Sequence, residues 1–596
     1  MVNLNRITIK VAGESGQGIN SMGEMLAKIF KNSGNYLFAT REYPSLIKGG
    51  YANYQLDISS VKINASSRYC DILVCVSRLS IHKYLKTLRL NGTLIHNINQ
   101  VIFSVEEESF IESNNIKVLH VKSGDILKEN HLPKIVTSVF MVAILVKMFD
   151  FPLEELNVLI EKIFEKKIEV VEINKIAARL GFNVDISGLN KIEIEKIKVK
   201  SNLNNSYLIT GNDLLSIGSY AAGVRAYYSY PMTPASSILS YLADVYNHTK
   251  MLVKQVDDEI TAVQMAIGSM FMGTRALVGT SGGGFDLMTE TISLSGMTET
   301  PLVVILAQRP GPATGLPTWT AQGDLDLAVY SGHGEYPRLV IALSDIESCY
   351  TLVGNAFNYA EIYQVPVLIL TDKQIAESLF VLDSLPEQPV IQRGLVDSSE
   401  LHKLIPQDRY KLTQNGISKR WLPGDSETVY LGNSDEHLED GSLTEESIPS
   451  KDMMDKRMRK LSELKNNILD PILFGDESGD ILFVGWGSTK NTLLDSLPIL
   501  NNQGIRSSYL HFDYILPLKA DKLVKIKESF KRIVLIEGNN TGQLGRLLSS
   551  ETGFIFKERL LKYDGRAFFV EDILEYLQIE FVGNKNSSGA RLRMSL

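Results

Sequence analysis

The chain has 596 residues, 44% hydrophobic and 22% charged, with a formal net charge of -8 and a pI near 5.8. That length calls for several domains, each large enough to bury its own core. The acidic balance, and the lack of any basic block interleaved with aromatics, argue against a nucleic-acid binder.

The opening MVNLNRITIK has no signal-peptide apolar core behind its charge, and no apolar run approaches the length of a membrane span. Residues Arg6 to Val11 read as a strand running into the glycine turn GESGQG, and NSMGEMLAKIFKNSG then has helical periodicity and ends on Gly34. Gly13, Gly16 and Gly18 follow G-x-x-G-x-G, which is not the dinucleotide fingerprint, so NAD is disfavoured. Such a turn can bring backbone N–H groups and a helix N-terminus to a phosphate, but taken alone it reads as a tight chain reversal. Strands follow at Ala52 to Ile58 and Asp71 to Val76, with the turn-rich REYPSLIKGG before them. Helices at Lys134 to Met148 and Leu153 to Phe164 close a first domain. IEIEKIKVKSNLNNS reads as a connector, with a boundary near residue 200.

In the second domain AYYSYP is a strand leading into a Pro-x-x-Pro turn. Pro234 suits the first turn of the next helix, with Thr233 as its N-cap. Glu259 lies in the first turn of a helix whose Ile260, Val263, Ile267 and Met270 recur at helical spacing, where the dipole favours a carboxylate. Capping and dipole pairing are the plain structural roles of these two residues. The glycine turn TSGGGF and the apolar strand PLVVILAQ come next. Arg309 then stands at a strand end, before the rigid turn Pro310-Gly311-Pro312, and its planar fork suits a carboxylate or phosphate. A salt bridge to a loop carboxylate is the competing role. Alternating strands and helices indicate parallel sheets, which bind ligands beyond the carboxyl ends of their strands.

After Asp372 the alternation ends. From Asp425 to Ser450 there are eight Asp or Glu and no Lys or Arg, a composition expected for a surface loop or partner-facing arm, with His437 in a solvated acidic loop. KDMMDKRMRKLSELKNNI is a basic amphipathic helix expected to pack on the surface. DILFVGWGS, IRSSYLHFDYILPL and RIVLIEGNN give a last open α/β domain, structural or interface-forming in role. Three cysteines, Cys70, Cys75 and Cys349, are too few for a disulfide framework or a four-thiolate cluster, and nine histidines never recur at metal-ligand spacing. A reduced, cytoplasmic protein holding no metal by itself is expected.

The ordered set GESGQGINSMGEMLAKIF, REYPSLIKGG, YPMTPASS, DDEITAVQMAIG, TSGGGFDLMTE, MTETPLVV, QRPGPATGLPT, RYKLTQNGIS with SDEH, IEGNNTGQL and KYDGR resembles the 2-oxoacid:ferredoxin oxidoreductases. The likeness is to an alpha subunit with a gamma domain fused at its N-terminus, of the 2-oxoglutarate type, and it spans nearly the full length. It implies three open α/β domains: a gamma domain at 1–190, a thiamine-diphosphate pyrimidine-binding domain at 200–395 and a transketolase C-terminal-like domain at 471–585. A linker and acidic arm would occupy 396–470.

The implied chemistry is oxidative decarboxylation of a 2-oxoacid to its acyl-CoA, with electrons passed to ferredoxin. 2-Oxoglutarate giving succinyl-CoA is the preferred substrate, and pyruvate or a branched-chain 2-oxoacid the alternative. A non-catalytic nucleotide- or CoA-binding scaffold is the alternative of another class. By the resemblance, Glu259 hydrogen-bonds the pyrimidine ring nitrogen, Thr233 meets the substrate near its reacting carbonyl, and Arg309 pairs with its carboxylate. Tyr230, Pro231, Ser281 and Gly282 join Glu259 at the cofactor, Thr314 joins the substrate residues, and Gly16, Gln17, Gly18 and Lys48 are assigned to CoA.

No G-D-G followed by an Asn-rich stretch and no C-x-x-C set occurs here. The reading therefore requires a beta subunit carrying Mg2+, the diphosphate site and an iron-sulfur cluster, in a dimer of alpha-beta heterodimers. The chain departs from the family's usual residues at Gly283 and Asp286, at Trp319 and Ala321, and at Lys48 and Tyr51. The first four lie in loops expected beside the substrate.

Overall fold

A computed structural model describes residues 6–45, 50–189, 192, 203, 205–387 and 389–578 of the chain. Lys48 and most of the connector at 192–206 fall outside the described residues. Two compact units emerge: one from the described residues among 1–208, 379–384 and 569–596, the other from 209–378 and 385–568.

The first unit is built on one eight-stranded sheet. Its order is Lys117–His120, Leu88–His96, Cys70–Cys75, Arg6–Glu14, Tyr51–Ser59, Tyr36–Glu42, Leu379–Leu382 and Tyr207–Thr210. The strand Arg6–Glu14 runs parallel to Cys70–Cys75 on one side and antiparallel to Tyr51–Ser59 on the other. Helix Ile19–Asn32 follows the glycine turn, as the periodicity predicts, and buries Met22, Leu26, Ile29 and Phe30. Thr137–Met148 is buried continuously from Val139 to Val146, so this helix, apolar all round, forms part of the unit's core. Two segments from far along the sequence complete the unit. Leu379–Leu382 pairs with Tyr36–Glu42, and helix Val570–Tyr576 brings Glu571 to Ser67 Oγ at 2.5 Å and to the Arg68 backbone N–H at 3.1 Å. Neither long-range return is written in the local pattern.

The second unit holds two sheets. The larger has the order Tyr514–Leu516, Leu339–Ala342, Pro366–Asp372, Leu302–Gln308, Ala276–Thr280, Ala226–Ser229 and Leu252–Gln255. All its pairings are parallel except that of the first strand, which the C-terminal portion contributes. Strands buried on both faces need long apolar runs, and LVVILA and PVLIL supply them before the polar strand ends Gln308, Thr371 and Asp372; every residue of both strands is buried. The smaller sheet has the order Ile472–Phe474, Ser507–Phe512, Gly479–Trp486, Phe530–Glu537 and Glu558–Leu561.

Most of the 425–450 stretch is at least partly exposed, and His437 is the residue that departs from its expected solvated setting. Glu436 pairs with Arg457, and His437 is 0% exposed, its ring centroid 4.2 Å from that of Tyr410 and its Nδ1 2.9 Å from the Leu438 carbonyl oxygen. The cause is the following helix, Ser447–Asn467, which packs through its basic face. Lys456 and Lys460 are fully buried and both reach the carboxylate of Glu299, itself buried at the turn before Leu302–Gln308. Arg457 of that helix holds Glu436, so a cation that composition alone assigns to solvent ties the acidic run to the unit.

Candidate active site

The carboxyl ends of the parallel strands gather the residues that sequence reasoning singled out. Beyond Ala226–Ser229, Ser229 Oγ donates to the Gly279 carbonyl at 2.8 Å, which ties this strand end to its neighbour. Tyr230 is 40% exposed and Pro231 also faces solvent. Thr233 does not cap the next helix. That helix runs Ser236–Asp244 with Ala235 at its N-cap position, and the Thr233–Pro234 peptide bond is cis. Pro234 lies outside the helical first turn where it was expected, and the segment is held by Asn212 Nδ2, which donates to the Pro234 carbonyl at 2.8 Å. The Thr233 carbonyl in turn accepts from an Arg309 guanidinium nitrogen at 3.0 Å. Thr233 and Arg309, 76 positions apart in sequence, therefore meet at one rim. Among the described residues this is the Arg309 side chain's one hydrogen bond, and its other N–H groups remain available to an anion.

Glu259 opens helix Glu259–Phe271, where Asp258 caps by accepting from the Thr261 N–H at 2.7 Å. With Asp258 serving that end, Glu259 is 5% exposed and has no hydrogen-bond or ion-pair partner among the described residues. A buried carboxylate left without a partner is costly and points to a ligand.

The glycines of TSGGGF explain themselves by close approach. A Cβ on Gly284 would fall 2.5 Å from Glu259 Oε1, and one on Gly282 would fall 2.9 Å from Asp324 Oδ2. Gly283 faces open space. Gly283→Ala is therefore expected to change thermal stability and turnover little, within about 0.5 kcal/mol, as a melting curve and a steady-state assay would report. Ser281 Oγ is buried without a partner, as is Asp324 Oδ2. Burial pushes the Asp324 carboxyl up to about 6, helped by the nearby Asp286 and opposed by Arg309. Burial likewise lowers the Arg309 guanidinium, and Asp324 partly offsets it. Thr314 is exposed in the loop after Arg309 and makes no hydrogen bond to the other candidates.

That loop is clamped by residues that sequence reasoning left in a structural domain. Gln322 donates to the Trp486 carbonyl at 2.8 Å and accepts from the Gly538 N–H at 2.7 Å. Asn539 Nδ2 donates to the Gln322 carbonyl at 3.0 Å. Behind them Glu537, fully buried, accepts from Trp486 Nε1, Asn539 Nδ2 and the N–H groups of Leu544 and Gly545. Trp319 carries the Arg566 guanidinium 3.3 Å above its ring centroid. Gln322, Gln543 and Arg566 lie within or beside quoted motifs, and nothing short of the tertiary contacts reveals their roles.

In the first unit Gly16 and Gly18 have positive φ, at 91° and 77°, and Gln17 folds back so that its Oε1 accepts from the Glu14 N–H at 2.8 Å. Helix Ile19–Asn32 begins there with no side-chain cap.

Residues 217–420 match the family described as pyruvate flavodoxin/ferredoxin oxidoreductase, thiamine diphosphate-binding, and residues 8–184 match pyruvate ferredoxin/flavodoxin oxidoreductase. A 2-oxoacid:ferredoxin oxidoreductase subunit alpha from Sulfolobus is 28% identical across 96% of each chain. The 2-oxoglutarate oxidoreductase subunit KorA of Mycobacterium tuberculosis is 26% identical across 97% of this chain and 92% of its own. A solved 2-oxoglutarate:ferredoxin oxidoreductase from Magnetococcus marinus, with 2-oxoglutarate, coenzyme A and succinyl-CoA bound, superposes with a TM-score of 0.88 at 25% identity, over 97% of this chain and 99% of that one. The chain belongs to the 2-oxoacid:ferredoxin oxidoreductase family. Its three open sheets are those of that family's alpha subunits, and Glu259, Thr233 and Arg309 all lie within the thiamine diphosphate-binding match. Among the described residues no helix is long and apolar enough to cross a membrane.

Proposed function

We propose that this chain is the alpha subunit of a CoA-acylating oxidoreductase that oxidatively decarboxylates 2-oxoglutarate to succinyl-CoA and passes the electrons to ferredoxin. The observation that carries this reading is the partnerless, buried carboxylate of Glu259 on the same sheet edge as the bonded pair Thr233–Arg309. The chain's own residues fit a thiamine ring: a carboxylate lacking a partner, a buried Ser281 hydroxyl lacking a partner, and glycines at 282 and 284 where any side chain would intrude. When bound, thiamine diphosphate supplies the nucleophilic carbon and the electron sink for decarboxylation.

In this reading Glu259 would face the ring nitrogen and share a proton with it. Tyr230, Pro231, Ser281 and Gly282 line the ring. The Arg309 N–H groups not used by Thr233 bind the substrate carboxylate, the Thr233 hydroxyl, released from capping, meets the carbonyl, and Thr314 covers the acid from the loop. CoA is assigned to the turn at Gly16, Gln17 and Gly18, with Lys48. A beta subunit contributes Mg2+, the diphosphate site and an iron-sulfur cluster, and the assembly is a dimer of alpha-beta heterodimers in the cytoplasm.

Pyruvate or a branched-chain 2-oxoacid is the second reading, favoured by Asp324 near Arg309 and Asp286 near Asp324, carboxyl groups that oppose a second substrate carboxylate. The test is viologen reduction by the chain coexpressed with its beta subunit, given CoA and a panel of 2-oxoacids. Reduction by none of them would leave only a CoA- or nucleotide-binding scaffold. In the active complex Arg309→Lys keeps the charge but loses the fork, and is expected to raise KM about tenfold or more in the same assay.

A further inference from the structure

Asp324 stands at the N-cap of helix Leu325–Tyr330, the position where aspartate ordinarily accepts from the helix's first N–H groups, yet its side chain makes no capping bond. Gln543 does that work from the neighbouring sheet domain. Its Oε1 accepts from the N–H groups of Leu325 at 3.0 Å and Asp326 at 3.2 Å, and its Nε2 donates to the Gly323 carbonyl at 2.8 Å. The Asp324 backbone is fixed as well, since its N–H donates to Gln308 Oε1 at 3.0 Å, at the end of the strand that carries Arg309. Relieved of capping and held at its backbone, the Asp324 carboxyl lies against the Cα of Gly282 with Oδ2 buried and partnerless, beside the segment whose Ser281 Oγ is also partnerless.

The charges around it come from three elements: Asp286 on helix Gly282–Asp286, Arg309 at the strand end, and Asp326 on its own helix, which is neutralised by Arg546. Among the described residues Arg309 is the one cation acting on Asp324, and the two are not in direct ionic contact. A carboxylate so placed competes with any anion for Arg309 without blocking its remaining N–H groups.

We propose that Asp324 is a positioning residue that acts through Arg309: it balances the guanidinium's charge from across the Gly282 turn and so sets how tightly the site holds the substrate's carboxylate. This rests on the role given to Arg309 above. Ionised Asp324 weakens the hold and protonated Asp324 strengthens it, so affinity falls as pH rises through the carboxyl's raised titration range.

The test uses the alpha-beta complex and the substitution D324N, because asparagine caps a helix as well as aspartate does and a merely capping role would leave every readout unchanged. KM for 2-oxoglutarate and for pyruvate is measured from pH 5.0 to 7.5. Kd is measured by calorimetry over the same range in the Glu259→Gln complex, with and without D324N. The expected result is that KM and Kd rise about fivefold across this range with Asp324 present, the scale of one unit charge acting at a half-buried distance. With D324N they stay flat at the low value, while kcat changes less. An unchanged pH limb in D324N overturns the proposal, and so does failure of either acid to bind. Full turnover by the Glu259→Gln complex would instead defeat the role given to Glu259 and leave the Kd comparison decisive for Asp324.

Discussion

Replacing Glu259 by alanine is expected to lower the 2-oxoacid kcat/KM of the assembled complex by about 10²- to 10⁴-fold, the range a positioned acid–base group contributes, while the melting temperature stays level or rises. The two halves of this expectation follow from one fact. Glu259 is 5% exposed and bonded to nothing among the described residues, and the helix end it occupies is already capped by Asp258. Its removal breaks no hydrogen bond, relieves an unpaired buried charge, and forfeits at most the helix-dipole contribution of about 0.3–1 kcal/mol. A residue that costs stability while leaving catalysis dependent on it is the pattern expected of a functional site. The comparison with Glu259→Gln separates shape from charge, because glutamine fills the same space against Gly284 but cannot hold the proton. Both variants should lose activity to a similar extent in the viologen assay. Activity retained by either, with melting lowered, would return Glu259 to a purely structural role.

What the sequence disclosed and what it hid follow from the range of the forces involved. The parallel sheet of the second unit was legible because strands buried on both faces must be apolar over most of their length, and Leu302 to Ala307 and Pro366 to Leu370 are. Arg309 was legible because a charged residue directly after such a run stands at a strand end. Thr233 was read as a cap because local chemistry allows it, but the helix starts at Ser236 and Asn212 holds the Pro234 carbonyl instead. Asp324 was hidden by the opposite effect. Its local setting suits a cap, and only Gln543, 219 positions later, shows that the cap is supplied from elsewhere. The pairing of Leu379–Leu382 with Tyr36–Glu42 and the docking of Val570–Tyr576 likewise depend on partners hundreds of residues away. Periodicity reports which face of an element is buried and says nothing about which distant segment buries it.

The helix Ser447–Asn467 gives the sharpest case, and the largest stability effect. Glu299→Ala is expected to destabilise the chain by about 3–5 kcal/mol, the usual result of removing one partner from a buried ionic cluster. Lys456 and Lys460 pair with this carboxylate, Arg409 donates to the Glu299 backbone carbonyl beside it, and all four side chains are almost wholly buried. Burial alone would push Glu299 up, but the two ammonium groups and the Arg409 guanidinium outweigh it and hold the carboxyl well below its ordinary range. Burial brings the Lys456 ammonium down to about 7 even with Glu299 beside it.

The sign of the pH effect follows from counting protons. Without Glu299 the folded-state pKa of Lys456 falls below 7, whereas the unfolded chain keeps its lysine protonated to about 10.4. Between the variant's folded value and pH 7 the unfolded variant binds more protons than the folded one, so its stability drops as pH falls. In the parent chain over that interval Lys456 is protonated, and Glu299 ionised, in both states. The penalty of the substitution should therefore be larger at pH 5.5 than at pH 8, by up to about 1.4 kcal/mol per pH unit for one group, as urea midpoints at the two values would show. Replacing Glu299, Lys456 and Lys460 together by leucine and methionine removes the charges as a set, and is expected to recover most of the loss. If the single variant melts like the parent at both pH values, the cluster contributes nothing and the helix is held by its apolar contacts alone.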